Sequence, residues 1–295
     1  MAGAREIKGR IKAVANIQRI TKTMQMIATS KFAKAQQRAV SAKPFVEGVF
    51  ELVQELAATA GDIEHPLVNG PSGVSPADLA AKPHVYLVLT SDRGLCGPYN
   101  GSVIRTALGT LREPGVNSST ELVGKKGASV LRFNKIEVAE RHSQFGDNPR
   151  REDIDRLADR YMSRFIAGEI SGVTVIYMRF ISAGKQAPES LQLLPLKPPA
   201  ASDDQPAGGS TLYEYMPDAE ELLAELLPVT VRATLNQCFS DAVVSEHVAR
   251  MIAMKAATDN AGRMGKDLKR IFNRARQAQI TTELTEIISG VAALS

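Results

Sequence analysis

Among the 295 residues, the segment Gly94-Leu-Cys-Gly97-Pro-Tyr-Asn-Gly101 is where residue types and spacing come nearest to chemistry. Glycines that follow a strand let backbone N–H groups approach a phosphate. The spacing matches neither GxGxxG nor GxxxxGK followed by Ser or Thr, and Pro98 removes one donor. The other candidate, Gly262-Arg-Met-Gly-Lys266, falls inside a helical pattern. Lone glycine clusters are usually turns, so a nucleotide site is not expected. Cys96 would need a base to act as a nucleophile, and His65, His84, His142 and His247 show no local pairing with it and no metal-ligand spacing. The pairs Asp203-Asp204 and Glu220-Glu221 sit in solvated stretches, where general acid–base work lacks the burial it needs. Met24 and Met26 read as apolar filling. No catalytic residue, cofactor or metal is expected.

The elements that carry these residues fall into three parts. From Ile7 to Leu56 a seven-residue row (Ile7, Val14, Thr21, Ala28, Ala35, Ala42, Val49, Leu56) runs beside a second row from Ile11 through Gln18, Gln25 and Phe32 to Val53, the seam of a paired helix. Ile17, Ile20, Met24, Met26 and Ile27 lie outside both rows, so the apolar surface there is wider than one partner helix covers. A second long helix is expected after Val229, with a row Met264, Leu268, Ile271, Ala275, Ala278, Thr282, Thr285. Gly262 and Gly265 would each cost about 1 kcal/mol in a lone helix, which implies tight helix contact or a local irregularity. Between the rods the period changes. Val85–Thr90, Glu121–Gly124, Val173–Ser182 and Leu191–Leu196 read as strands, and 149–167 as an amphipathic helix. The fold class is therefore α/β, a small Rossmann-like domain at 59–216 with a mostly parallel sheet and a mobile loop at 197–210. It is inserted between coiled-coil helices at 1–58 and 217–295, antiparallel if the insert returns the chain to the same end.

Charge is distributed unevenly around a formal net of +4. Residues 1–43 hold ten basic side chains against Glu6 alone, and 263–276 hold six against Asp267. Arg10, Lys12, Arg19, Lys22, Lys31, Arg270 and Arg274 form a basic collar on the two terminal helices. The remainder of the chain is acidic. Such asymmetry implies that the ends meet something negative, whether nucleic acid, a membrane surface or an acidic protein. A nucleic-acid rod would add stacking aromatics, and only Phe32 and Phe272 lie near the collar. An acidic protein sleeve fits better, with a basic coiled-coil nucleic-acid binder as the alternative. Two isolated cysteines suit a reducing compartment. Absence of a ~20-residue apolar run and of any leader pattern at the start favours a soluble chain in a bacterial cytoplasm.

Three blocks carry a family resemblance. AREIKGRIKAVANIQRITKTMQMIATSKFAKAQ near the start, LTSDRGLCGPYN in the middle and MIAMKAATDNAGRMGKDLKRIFNRARQAQITTELTEIISG at the end resemble the signature blocks of gamma subunits of F-type ATP synthases, and they bracket nearly the whole chain. The resemblance implies a non-catalytic rotor, the central stalk that couples rotation of an ion-driven c-ring to ATP synthesis or hydrolysis at sites on three alpha and three beta subunits. It implies an epsilon-subunit partner and peripheral attachment to the cytoplasmic side of a bacterial plasma membrane, with H+ or Na+ as coupling ion. It further implies that Met24, Cys96, Arg276, Gln277 and Thr281 face the lever and catch regions of beta, and that Thr211–Asp218 belongs to the foot meeting epsilon and the c-ring. The chain departs from the family at Pro98, in GLCGPYN where GLCGGLN is usual, and its 197–210 loop lacks the cysteine pair of chloroplast relatives.

Overall fold

The computed structural model describes residues 4–60, 65–71, 74–112, 117–197 and 218–294. The expected mobile loop at 197–210 lies outside them except for Lys197, as does the expected foot at 211–218 except for Asp218. The chain divides into two compact units, one of Met1–Ser30 with Arg250–Ser295 and one of Lys31–Ala249. Helix α1 spans Ala4–Ala60 and the last helix, α7, spans Ala219–Leu294, so each contributes to both units. Pro44 and Pro228 lie inside these helices without ending them.

In the unit of Lys31–Ala249, two short helices, α2 (Pro66–Asn69) and α3 (Pro76–Ala80), precede an alternation of strands and helices. Its members are β1 (His84–Leu89), α4 (Tyr99–Leu111), β2 (Ser118–Val123), α5 (Lys126–Phe133), β3 (Val138–His142), α6 (Arg151–Ile166), β4 (Gly172–Ser182) and β5 (Lys185–Leu194). The sheet order is β3-β2-β1-β4-β5, parallel except for the antiparallel edge strand β5. Buried on both faces, β1 shows the continuous apolar run typical of a parallel sheet. Its Val85, Leu87 and Leu89 join a core with Leu157, Tyr161 and Phe165 of α6, Leu227, Val231 and Phe239 of α7, and Val53 and Leu56 of α1. Tyr86 and Val88 point the other way, toward Val103, Ile104 and Ala107 of α4 and Leu131 of α5. β5 begins at Lys185, six residues before the expected strand, because the two residues Ala183-Gly184 turn β4 straight back on itself. Neither β3 nor α5 was expected: β3 is an exposed edge with alternating Val138, Ala139, Glu140, Arg141 and His142, which lacks a long apolar run.

The other unit pairs the start of α1 with the end of α7 in antiparallel register. Thr258 donates through Oγ1 to Thr21 Oγ1 at 2.8 Å, and a Cβ at Gly265 would sit 3.9 Å from Val14 Cγ1. Ile7, Val14 and Ala28 are buried as the seven-residue row requires. On α7 the inward row differs from the expected one. Ala261 is buried and Gly262, Gly265, Leu268, Phe272 and Ala275 are half-buried, whereas Met264 (56%) and Ile271 (49%) are exposed. At Gly262 the missing side chain lets α1 approach on this row, since a Cβ there would lie 2.9 Å from Gln18 Nε2. Helix α7 continues unbroken through both glycines, with close helix contact at Gly262 and room for a Cβ at Gly265.

Candidate functional site

The loop after β1 is closed by its own side chains. Ser91 N–H donates to Asn100 Oδ1 (3.0 Å), while Asn100 Nδ2 donates to Ser91 Oγ (2.7 Å) and to Cys96 Sγ (3.2 Å). Ser91 Oγ donates in turn to the Arg93 carbonyl at 2.7 Å. Leu95 and Gly97 take positive φ (64° and 55°), which turns the Cys96 thiol inward and leaves Leu95 exposed. Pro98 is the N-cap residue of α4, and its carbonyl accepts from Ser102 N–H at 2.9 Å. In open α/β sheets ligands lie beyond the carboxyl ends of the parallel strands. Here that space above β1 holds Cys96, Tyr99 and Asn100, all buried or half-buried. The nearby Gly124 and Gly127 serve packing: a Cβ on Gly124, at φ +83°, would fall 2.1 Å from the Thr90 carbonyl oxygen, and one on Gly127 2.8 Å from Leu122 Cδ1.

A buried charge cluster joins β2, β3 and α6. Glu121, 2% exposed, accepts from Tyr161 OH (2.7 Å), Arg160 Nη2 (3.1 Å) and Arg164 Nη1 (3.1 Å) and contacts His142 Nε2 at 2.8 Å. Burial alone would raise its pKa, but the bonds from His142 and Tyr161 and the charge of Arg160 hold it below the usual carboxylate range. Burial and the adjacent Glu121 push the Tyr161 hydroxyl well up. Glu121, Glu140 and His142 bring their ligand atoms within 4.8 Å of one another, a donor set that suits a divalent cation. Arg160 already bridges the two carboxylates, at 3.1 Å from Glu121 and 2.8 Å from Glu140. A cation there would meet two guanidiniums, so the cluster is structural. The other histidines are built into the fold as well. His65 Nδ1 accepts the Leu67 N–H at the start of α2, His84 Nε2 contacts Thr174 Oγ1 at 2.8 Å, and His247 is buried in α7. Burial lowers the pKa of His65 and of His84.

What remains as a candidate site is helix surface in the unit of Met1–Ser30 and Arg250–Ser295. On α1, Ile17, Ile20, Met26 and Ile27 are exposed, and Met24 is half-buried. On α7, Ile252, Met264 and Ile271 are exposed, followed by Ile280, Leu284, Ile287 (65%), Ile288 and Val291. These last five recur at three- and four-residue steps and form one stripe. The antiparallel register uses up the described part of α1 near Ala275, so the stripe has no facing helix within the unit. Sequence reading missed it by following Thr282 and Thr285 as a seam. Arg276, Gln277 and Thr281 are exposed beside its start, and Thr281 Oγ1 donates to the Gln277 carbonyl.

The basic collar is present here in part. Lys12, Arg19, Lys22 and Arg274 are exposed, Arg10 pairs with Glu6 at 2.7 Å, and Arg270 with Asp267 at 3.4 Å. Exposed pairs of this kind contribute ~0–1 kcal/mol, so they do little to fix the helices. Lys31 belongs to the other unit, where its Nζ lies 2.5 Å from Asp147 Oδ2. Burial would raise the Asp147 pKa, but Lys31 and Arg93 hold it below the usual range. Cys96 is also in that unit, buried, while Met24, Arg276, Gln277 and Thr281 share this one.

A family model described as ATP synthase matches residues 3–294. The chain is 42% identical over 301 residues to the ATP synthase gamma chain of Rhodopirellula baltica, covering 100% of this chain and 99% of that one. It is 37% identical over 297 residues to the ATP synthase gamma chain of Glaesserella parasuis, covering both completely. Among solved structures it resembles a chain of the Euglena gracilis mitochondrial ATP synthase assembly OSCP/F1/c-ring, at TM-score 0.65 and 18% identity, with 99% of this chain and 94% of that one covered. A chain of the Tetrahymena thermophila mitochondrial ATP synthase central stalk and c-ring matches at TM-score 0.55 and 20% identity, covering 81% and 99%.

Proposed function

Since the chain belongs to the gamma-chain family of ATP synthases and is a central-stalk rotor subunit, we propose that its exposed helix surface turns inside a ring of three alpha and three beta subunits, with no catalytic group of its own. The observation that carries this reading is the stripe Ile280, Leu284, Ile287, Ile288 and Val291, apolar and exposed along a helix with no facing partner among the described residues of its unit. Contiguous exposed apolar surface marks an interaction site. A smooth apolar stripe without specific polar pairing is suited to a partner that must slide past it. The exposed basic residues Lys12, Arg19, Lys22 and Arg274 then face acidic groups of the ring, where charge steers contact without locking it.

Met24 is assigned to the beta-subunit lever, and Arg276, Gln277 and Thr281 to its catch region. With the Cys96 thiol turned inward, a contact from its loop falls to the exposed Leu95. Epsilon and the c-ring are the partners assigned to the α/β side of the chain, through segments around residues 211–218. No described helix is long and apolar enough to cross a membrane, which accords with a peripheral place on the cytoplasmic side of a bacterial plasma membrane. The nucleic-acid reading loses support from the aromatics: Phe32 packs on Phe180 with ring centroids 6.1 Å apart, and Phe272 is half-buried.

The test is co-expression with alpha and beta subunits. A stable ATPase complex that requires this chain is expected, and the purified chain alone is expected not to hydrolyse ATP. An ATPase complex indifferent to the chain, or turnover by the chain alone, contradicts the proposal.

A further inference from the structure

In the unit of Lys31–Ala249, a cavity of about 200 Å³ lies between α1, the start of α6 and α7. Its apolar wall comprises Ala35, Val46, Ile154, Ala233, Phe239 and Val243. Two guanidiniums line it, and they are not equivalent. Arg151 is engaged already: its Nε is 3.5 Å from Asp155 Oδ2, and its guanidinium lies over the Phe45 ring at 5.5 Å from the centroid. Asp155 is in turn held by Asn236 Nδ2 at 2.6 Å. Arg38 donates to the Asn148 side-chain oxygen and, through Nε, to the Lys34 carbonyl at 3.3 Å, and it meets no carboxylate among the described residues. The apolar wall therefore ends at the exposed guanidinium of Arg38, which no carboxylate among the described residues neutralises.

We propose that this cavity binds a small amphiphilic carboxylate, its alkyl or aryl body against the apolar wall and its carboxylate on Arg38. Charge complementarity decides the head group, because a guanidinium presents paired N–H donors that match a carboxylate. Volume decides the body: drug-sized pockets run to ~300–1,000 Å³, so this one suits a ligand of about ten non-hydrogen atoms.

Octanoate is the probe, with octylammonium and 1-octanol as controls, titrated calorimetrically into the purified full chain. Saturable octanoate binding is expected, about tenfold or more tighter than that of either control. Arg38→Glu, on an exposed side chain that the fold does not need, is expected to weaken octanoate at least tenfold and to strengthen octylammonium. Ala233→Phe is expected to close the cavity to all three probes. Octanoate that fails to saturate, that is unaffected by Arg38→Glu, or that is matched by octylammonium on the unaltered chain overturns the proposal.

Discussion

Asp241 shows how the burial of a single residue contributes to the pH response of this chain. It is buried where α7 meets the sheet, and burial pushes its pKa up to about 6, against the lowering effect of Gln237, whose Nε2 donates to Oδ1 at 2.8 Å. Because the folded-state pKa is raised, Asp241 favours folding below its unfolded value near 3.8, and that contribution is lost as pH rises through about 6. Asp241→Asn keeps the acceptor and removes the charge. It is expected to stabilise the chain by about 1–2 kcal/mol at pH 7.5 and by nearly nothing at pH 4, read from urea unfolding at both pH values; equal effects at both would show that burial of charge is not the cause. Cys238 and Tyr177, packed nearby, are both pushed up, first by burial, so neither adds a charge that alters this balance at neutral pH. At Met24 the expected effect concerns coupling. On the proposed assignment of Met24 to the beta-subunit lever, Met24→Lys adds a charge beside the basic collar and strengthens a contact that must release at each step. ATP hydrolysis in the assembled complex should persist while proton or sodium transport per ATP falls, and unchanged coupling would remove Met24 from the contact.

At the scale of elements, helix pairing was legible and helix rotation was not. The row Ile7, Val14, Ala28 was readable because each residue is apolar at a fixed spacing and each is buried. The inward row of α7 runs through Gly262 and Gly265, which carry no hydrophobic signal, so apolar periodicity pointed to Met264 and Ile271 instead. β1 and β4 announced themselves by continuous apolar runs, whereas β3 was hidden by its polar residues, of which Glu140 and His142 are drawn into the Glu121 cluster. That cluster has no local signature, since its members are brought together from β2, β3 and α6 by the crossover connections. Glycine substitutions separate the two kinds of packing. Gly262→Ala meets only the flexible end of Gln18, and the gain in helix propensity should leave stability unchanged or raised by up to about 1 kcal/mol. Gly127→Ala meets Leu122 and Thr90 inside the sheet domain and should cost about 1–3 kcal/mol. Thermal unfolding of the two variants checks the order, and a reversed order would refute the close-packing account. Along the stripe, the double change Leu284→Glu and Ile287→Glu should leave the isolated chain's unfolding midpoint within the effect of ordinary surface substitutions, because both side chains are exposed. It should nevertheless reduce recovery of the assembled ATPase complex at least tenfold, and normal recovery would show that the stripe is not the bearing surface.

For the whole molecule, the division of labour follows composition. Basic and apolar surface concentrates on the terminal segments, and the acidic remainder builds the sheet domain, whose would-be ligand loop is filled by Cys96, Tyr99 and Asn100. Such a chain can act by position, moving while others do chemistry. Rotation observed in single complexes tests this most directly. Phe133→Cys supplies an attachment point, since Phe133 is 87% exposed while Cys96 and Cys238 are buried. With alpha and beta subunits fixed to a surface and a bead on this cysteine, added ATP should drive rotation in one direction by thirds of a turn. A bead that stays fixed, or only fluctuates, while the same complexes hydrolyse ATP would contradict the account.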